Sequence, residues 1–222
     1  MRSKILGILS LVLMIANLYM IFIFAPNEST MGVIQRIFYF HLPAGIFSYV
    51  SAYLLGLGSI MFLIKRDLKW DRFAAASGEM GVLCTSLSIM SGALWAKPVW
   101  GIWWTWDARL TLQFLLALIF LSYLMLRAYL PEREKRAALG GVFGVLAMID
   151  VPFNYLSIRW WRTQHPQPVI LGGGLDWDMW KVMIVSFLAF AALYSYLIGR
   201  RMAIARVEEE VEYLEHAILA HD

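Results

Sequence analysis

Six apolar runs, each close to twenty residues long, divide this chain from end to end. They cover about 5–25, 44–64, 73–95, 110–129, 138–158 and 179–198. A helix needs roughly twenty apolar residues to cross the hydrocarbon core of a bilayer. The backbone inside that core must satisfy its own hydrogen bonds, so runs of this kind fold as helices. The sequence therefore predicts an all-α, polytopic integral membrane protein with six transmembrane helices. The composition agrees: 60% of residues are hydrophobic and 16% are charged, against about 25% charged in a soluble domain. The first run follows Arg2 and Lys4 and precedes Pro26. It is longer than a signal-peptide core and lies in a poor cleavage context, so it is read as an uncleaved span.

Charge sets the expected orientation. Of the 19 Lys and Arg residues, thirteen fall at the N-terminus, in 65–72, at 127–136 and after the sixth run. The other six are Arg36, Lys97, Arg109, Arg159, Arg162 and Lys181. The positive-inside rule places the richer side, and with it both termini, in the cytoplasm. Tryptophan is distributed the opposite way. Nine of the ten lie at the outward ends, and only Trp70 lies inward. Aromatic belts decorate both interfaces, so anchoring alone does not account for that split.

Five of those tryptophans crowd into 95–106: Trp95, Trp100, Trp103, Trp104 and Trp106, among Lys97, Asp107 and Arg109. Pro98 and Gly101 predict a break in helix there, and so a flat aromatic loop over 97–111, suited to a planar ligand. Two further outward segments flank it, 26–43 and 159–178. Ile34, Ile37, Phe38 and His41 share one face of a short interfacial helix by their spacing. His165 follows Trp160 and Trp161 in the second segment. None of the four histidines is expected inside a span, and His216 and His221 in the tail are read as solvated.

One imidazole from each flanking segment, over an aromatic bed, is an arrangement that haem iron accepts. Zinc calls for three or four ligands close together, and Glu28, Asp107, Asp176 and Asp178 lack metal-ligand spacing with either histidine. Arg36, Arg109, Arg159 and Arg162 are on the same side and suit propionates. The single cysteine, Cys84, excludes an intrachain disulfide and a covalent haem motif. Gly172, Gly173 and Gly174 have no strand before them and no Lys-Ser/Thr after, so they form no phosphate cradle. The net charge of +3 carries no nucleic-acid signal.

Three motifs give the chain a family resemblance. WGIWWTWDARLT (100–111) resembles the WWD signature of haem-handling proteins of cytochrome c maturation. QRIFYFHLPAG (35–45) and WWRTQHPQP (160–168) resemble the two histidine motifs of the CcmC-type haem-delivery branch. All three occur in the expected order, and the likeness extends over all six runs. The haem-lyase branches typically read Asp-Pro after the motif and carry histidines within spans. This chain reads Asp107-Ala108-Arg109-Leu110-Thr111.

The resemblance implies His41 and His165 as axial haem ligands. It also implies that Trp100, Trp103, Trp104, Trp106 and Asp107 contact or shape the haem site, with Trp161 in the second histidine motif. The implied cargo is haem b, bound non-covalently at the outer face of the cytoplasmic (inner) membrane. The implied partners are an ABC-type nucleotide-binding subunit, a second membrane subunit and a small membrane-anchored haem chaperone. The chain itself is not expected to be an enzyme. The competing readings are a lyase that attaches haem to apocytochrome c and a bis-His electron-transfer cytochrome. In-span histidines would favour either.

Three features stand outside this frame. Asp150 is a carboxylate about two turns from the outer end of the fifth run, beside an expected break at Pro152. Glu79 is expected to snorkel or cap near the inner end of the third. Residues 200–222 are expected to form a cytoplasmic amphipathic helix beyond the 1–199 membrane domain. Its seam is Ile204, Val207, Val211, Leu214 and Ile218, which packs on a partner or on the protein's own loops.

Overall fold

The computed structural model describes residues 2–165 and 175–219. The described chain is all helical, with six helices long and apolar enough to cross a membrane. They are α1 (Arg2–Tyr19), α2 (Phe38–Lys65), α3 (Leu68–Trp100), α4 (Ala108–Tyr129), α5 (Arg133–Trp160) and α6 (Trp177–Leu219). A π-helical turn, Met20–Phe24, prolongs α1, and a 3-10 turn, Val33–Ile37, leads straight into α2. Residues 26–37, 101–107, 161–165 and 175–176 lie at one end of the bundle, called here the site end. Residues 66–67 and 130–132 lie at the far end.

The helices are longer than the apolar runs suggest, and three prolines lie inside them. Pro43, Pro98 and Pro152 are all helical. The expected helix breaks at Pro98 and Pro152 are therefore absent. A proline removes one N–H and crowds the preceding turn, but in a membrane bundle the neighbouring helices and side chains compensate. Gly101 ends α3 instead. It adopts φ +78°, and its amide donates to the Lys97 carbonyl 3.0 Å away. The expected interfacial helix over 34–41 proves to be the 3-10 turn fused to the start of α2, which puts His41 on a helix within a candidate span. That corrects the expectation that no histidine lies in a span.

Small residues let the helices approach closely, as in membrane bundles generally. A Cβ on Gly81 would come 2.3 Å from the Phe120 ring, and one on Gly78 would come 2.7 Å from the Tyr123 ring. Gly140 of α5 meets the other edge of Tyr123. Tyr123 and Phe120 of α4 are thus clamped between α3 and α5, and with Leu55, Leu116 and Ala147 they form the central core. A second core joins Ile21, Phe38 and Tyr39 to Met179, Val182 and Met183 of α6.

Ionic contacts gather at the far end. Asp71, in the first turn of α3, takes a fork from Arg127, Nη1–Oδ1 2.5 Å and Nη2–Oδ2 2.9 Å. Glu79 lies well inside α3 and so caps no helix: it accepts from Arg201 Nε at 2.7 and 2.8 Å. The helix α6 continues without interruption past residue 200 to Leu219. Arg72 pairs with Glu209 and Arg133 with Glu212, so the acidic side of the tail is tied to the far-end starts of α3 and α5. Its apolar seam stays exposed, from 45% at Ile204 to 63% at Ile218. His221 and Gly172–Gly174 lie outside the described residues, as does the side chain of His216.

Candidate functional site

At the site end, α2 through α6 enclose a cavity of about 520 Å³. That is within the range of roughly 300–1,000 Å³ typical of small-molecule and cofactor sites. Its wall is mostly apolar, from Met31, Phe38, Ile89, Trp95, Ile158 and Met179 among others. The polar side chains on it are Glu28, Gln35, His41, Tyr49, Ser88, Arg109, Gln113, Tyr155 and His165.

His41 lies in the first turn of α2, two residues before Pro43. Its ring edge meets Trp95, with centroids 5.8 Å apart and planes at 67°. Its Nδ1 is 3.1 Å from both the Ser88 carbonyl and Ser91 Oγ on α3. His165 is far away in sequence, and its amide donates to Thr163 Oγ1 at 3.1 Å. The two imidazole centroids are 6.4 Å apart, with planes at 39°. Metal–imidazole bonds of about 2 Å put two rings on opposite sides of one ion with centroids roughly 6 Å apart. The pair therefore fits an iron ligated on both faces. Two more wall residues, Trp95 and Trp104, have buried indole N–H groups without a hydrogen-bond partner. Such orphans are unusual in folded proteins.

Arg109 is the cation on the wall. Its Nη1 donates to the Asn154 carbonyl at 2.6 Å, and its guanidinium lies over the Tyr49 ring at 5.7 Å. Beneath it runs a buried polar chain. Tyr49 OH donates to Asn154 Oδ1 (3.0 Å), Asn154 Nδ2 to Gln113 Oε1 (3.0 Å), and Gln113 Nε2 to Ser48 Oγ (3.2 Å). These bonds fasten α2, α4 and α5 together below the cavity. The sequence reading passed over Tyr49, Gln113 and Asn154. The signal was present, because an amide within an apolar run is costly unless partnered.

The other expected site residues divide sharply. Trp104 lines the cavity, but Trp100, Trp103, Trp106 and Trp161 are exposed and off its wall. Trp104 and Trp106 meet edge to face at 77°, so the loop is not a flat shelf. Trp103 lies under Lys97 Nζ. Asp107 is the N-cap of α4: Oδ1 accepts from the Leu110 amide (3.1 Å) and Oδ2 from Thr105 Oγ1 (2.8 Å). Arg36 also lies off the wall. It donates to the carbonyls of Phe22 (2.7 Å) and Ala25 (3.3 Å) and to Asn27 Oδ1, which ties the end of the π-helical turn to the start of α2. Glu28 reaches the wall, yet its carboxylate accepts from the Met31 and Thr30 amides. The Met31 amide holds it below the usual carboxylate range.

Asp150 is buried, and neither of its carboxyl oxygens makes a hydrogen bond of good geometry, although the Asn154 side chain one turn on is close enough to act on it. It belongs to the core beside Tyr49 and not to the cavity wall.

Comparison with known proteins agrees with this architecture. The chain is 28% identical over 213 residues to heme exporter protein C of Haemophilus influenzae, covering 95% of this chain and 87% of that one. It is 27% identical over 197 residues to heme exporter protein C of Escherichia coli K12, covering 89% and 80%. It is also 30% identical over 170 residues to a putative cytochrome c biosynthesis ccmC-like mitochondrial protein of Marchantia polymorpha, covering 77% and 72%. The family model described as CcmC, heme exporter protein C, matches residues 2–217, and with six membrane-length helices in the expected order the chain belongs to that family.

Proposed function

We propose that this protein binds haem b non-covalently in the site-end cavity and delivers it to an acceptor for cytochrome c maturation. The carrying observation is the 6.4 Å separation of His41 and His165 beside a cavity of ligand size. Haem is cargo in this reading, and the iron accepts one imidazole on each face. Arg109 meets a propionate, which a guanidinium binds through charge-assisted hydrogen bonds. Trp95 and Trp104 wall the macrocycle and keep water from it. The exposed Trp103 and Trp106 offer the acceptor a docking surface, since large aromatic anchors dominate binding energy.

The location follows from the charge asymmetry: both termini in the cytoplasm, and the cavity at the outer face of the inner membrane. The acceptor in this reading is a small membrane-anchored haem chaperone. An ABC-type nucleotide-binding subunit and a second membrane subunit supply any ATP coupling. The chain carries no nucleotide-binding motif and acts as a transfer subunit, not an enzyme. His41 is on α2, so the chain has one in-span histidine, and the Asp107-Ala108-Arg109 continuation of the WWD motif is what sets it apart from a haem lyase. His165 follows the end of α5, so the pair does not sit on two facing helices.

The test is the visible spectrum of the purified chain. A Soret band is expected, weakened in His41→Ala or His165→Ala and weaker still in the double variant. Retention of the wild-type spectrum by the double variant would refute the ligand assignment. Orientation is tested separately in a Cys84→Ser background. Cysteine at Thr105 is expected to react with an impermeant maleimide on spheroplasts, and cysteine at Lys69 is not.

A further inference from the structure

We infer that α3 fixes the tautomer of His41: Ser91 Oγ and the Ser88 carbonyl hold the proton on Nδ1, which leaves Nε2 as the ligating nitrogen and makes Ser91 a positioning residue. This deepens the haem-binding reading and rests on it.

The argument is one of donors and acceptors. A carbonyl oxygen can only accept, and that of Ser88 is 3.1 Å from Nδ1. A hydroxyl has one hydrogen and two lone pairs. The Ser91 hydrogen is committed to main-chain carbonyls, with Oγ 2.6 Å from the Leu87 oxygen and 3.2 Å from that of Ser88. Its lone pairs are what face Nδ1, 3.1 Å away. Both neighbours of Nδ1 therefore accept, and Nδ1 must donate. In a neutral imidazole the other nitrogen then carries the lone pair.

The ring is also confined. A Cβ on Gly92 would come 3.0 Å from His41 Cε1, so any side chain at 92 would press on the ring by a few tenths of an ångström. Trp95 closes the next turn of the same helix against the ring edge. Ser88, Ser91, Gly92 and Trp95 thus form one face of α3 that grips the imidazole. Metal-binding histidines generally donate their second N–H to an acceptor, which fixes the ring and raises the basicity of the ligating nitrogen.

The experiment uses the full-length chain in detergent and has two independent arms. The first is 15N NMR of histidine-labelled, haem-free protein, with the His41 signals assigned by their loss in His41→Ala. A protonated Nδ1 and an unprotonated Nε2 are expected. The opposite tautomer overturns the inference and leaves haem binding standing. The second arm is haemin titration, with the reduction midpoint of the bound haem. Ser91→Ala is expected to weaken haemin binding about tenfold, the low end of the 10–100-fold range for outer partners, because the Ser88 carbonyl remains. It is also expected to raise the midpoint, since a less basic ligand stabilises ferric iron less. Ser91→Thr, which keeps the hydroxyl, is expected to restore both, and Gly92→Ala to weaken binding by displacing the ring. Wild-type affinity and midpoint in Ser91→Ala would overturn the positioning role. A wild-type chain that binds no haemin would instead refute the haem reading, whatever tautomer the NMR arm finds.

Discussion

Arg109 on α4 donates to the main-chain carbonyl of Asn154 on α5 across 2.6 Å. One guanidinium arm is therefore anchored to the scaffold while the residue lines the cavity. A hydrogen bond to a charged group contributes about 1.5–3 kcal/mol. Arg109→Gln is thus expected to lower haemin affinity at least tenfold in a titration. Arg109→Lys is expected to recover only part, because an ammonium cannot hold the carbonyl and fork to a propionate at once. Arg36→Gln is expected to leave affinity unchanged, since Arg36 lies off the cavity wall and both of its Nη groups are held by Phe22, Ala25 and Asn27. Equal losses at Arg36 and Arg109 would contradict this division.

The tryptophans of the WWD stretch are expected to separate into two phenotypes. Trp104 lines the cavity, whereas Trp103 and Trp106 are 55% and 73% exposed. Trp104→Ala should reduce haem retained by the purified chain. Trp103→Ala with Trp106→Ala should leave retention intact and lower haem transfer to the co-expressed chaperone, read by haem staining normalised to this chain. Identical behaviour of the two variants would rule out separate roles.

At the far end, Asp71 and Arg127 form a forked pair with side chains 8% and 15% exposed. Removing one member of a buried pair leaves the other charge uncompensated and costs about 3–5 kcal/mol. Arg127→Ala and Asp71→Ala should each lower the thermal midpoint in detergent markedly. Arg127→Met combined with Asp71→Ala should recover much of the loss. A double variant less stable than either single one would argue against this account.

Asp150 makes the opposite prediction. Its residue is 5% exposed, and neither carboxyl oxygen makes a hydrogen bond of good geometry, with only the Asn154 side chain close by to offset its burial. An unsatisfied buried polar group costs about 1–3 kcal/mol, and a lone carboxylate in a span is costlier. Asp150→Leu should therefore fold and match or exceed the wild-type thermal midpoint. A clear drop would show that the carboxyl has a partner and a structural role.

How far the sequence reached depends on the kind of interaction. Six helices, their order and the clustering of tryptophan at one end were legible because bilayer spanning is a matter of length and apolarity, which are local properties. His41 and His165 stood out for the same reason, each inside a short motif.

The proline positions were not legible. Whether Pro98 or Pro152 ends a helix depends on packing from neighbouring helices, which offsets one lost hydrogen bond and the crowding around it, and no local window contains those neighbours. The partner of Glu79 is Arg201, 122 residues away, and only the fold brings them together. Likewise, seven tryptophans near the motifs look alike in sequence. The directions in which α3, α4 and α5 end turned Trp95 and Trp104 inward and left Trp100, Trp103, Trp106, Trp160 and Trp161 off the cavity wall. The sequence determined that this chain crosses a membrane six times and gathers aromatic and imidazole groups at one end. The tertiary structure decided which of them share a cavity, because that depends on helix rotation and long-range contact.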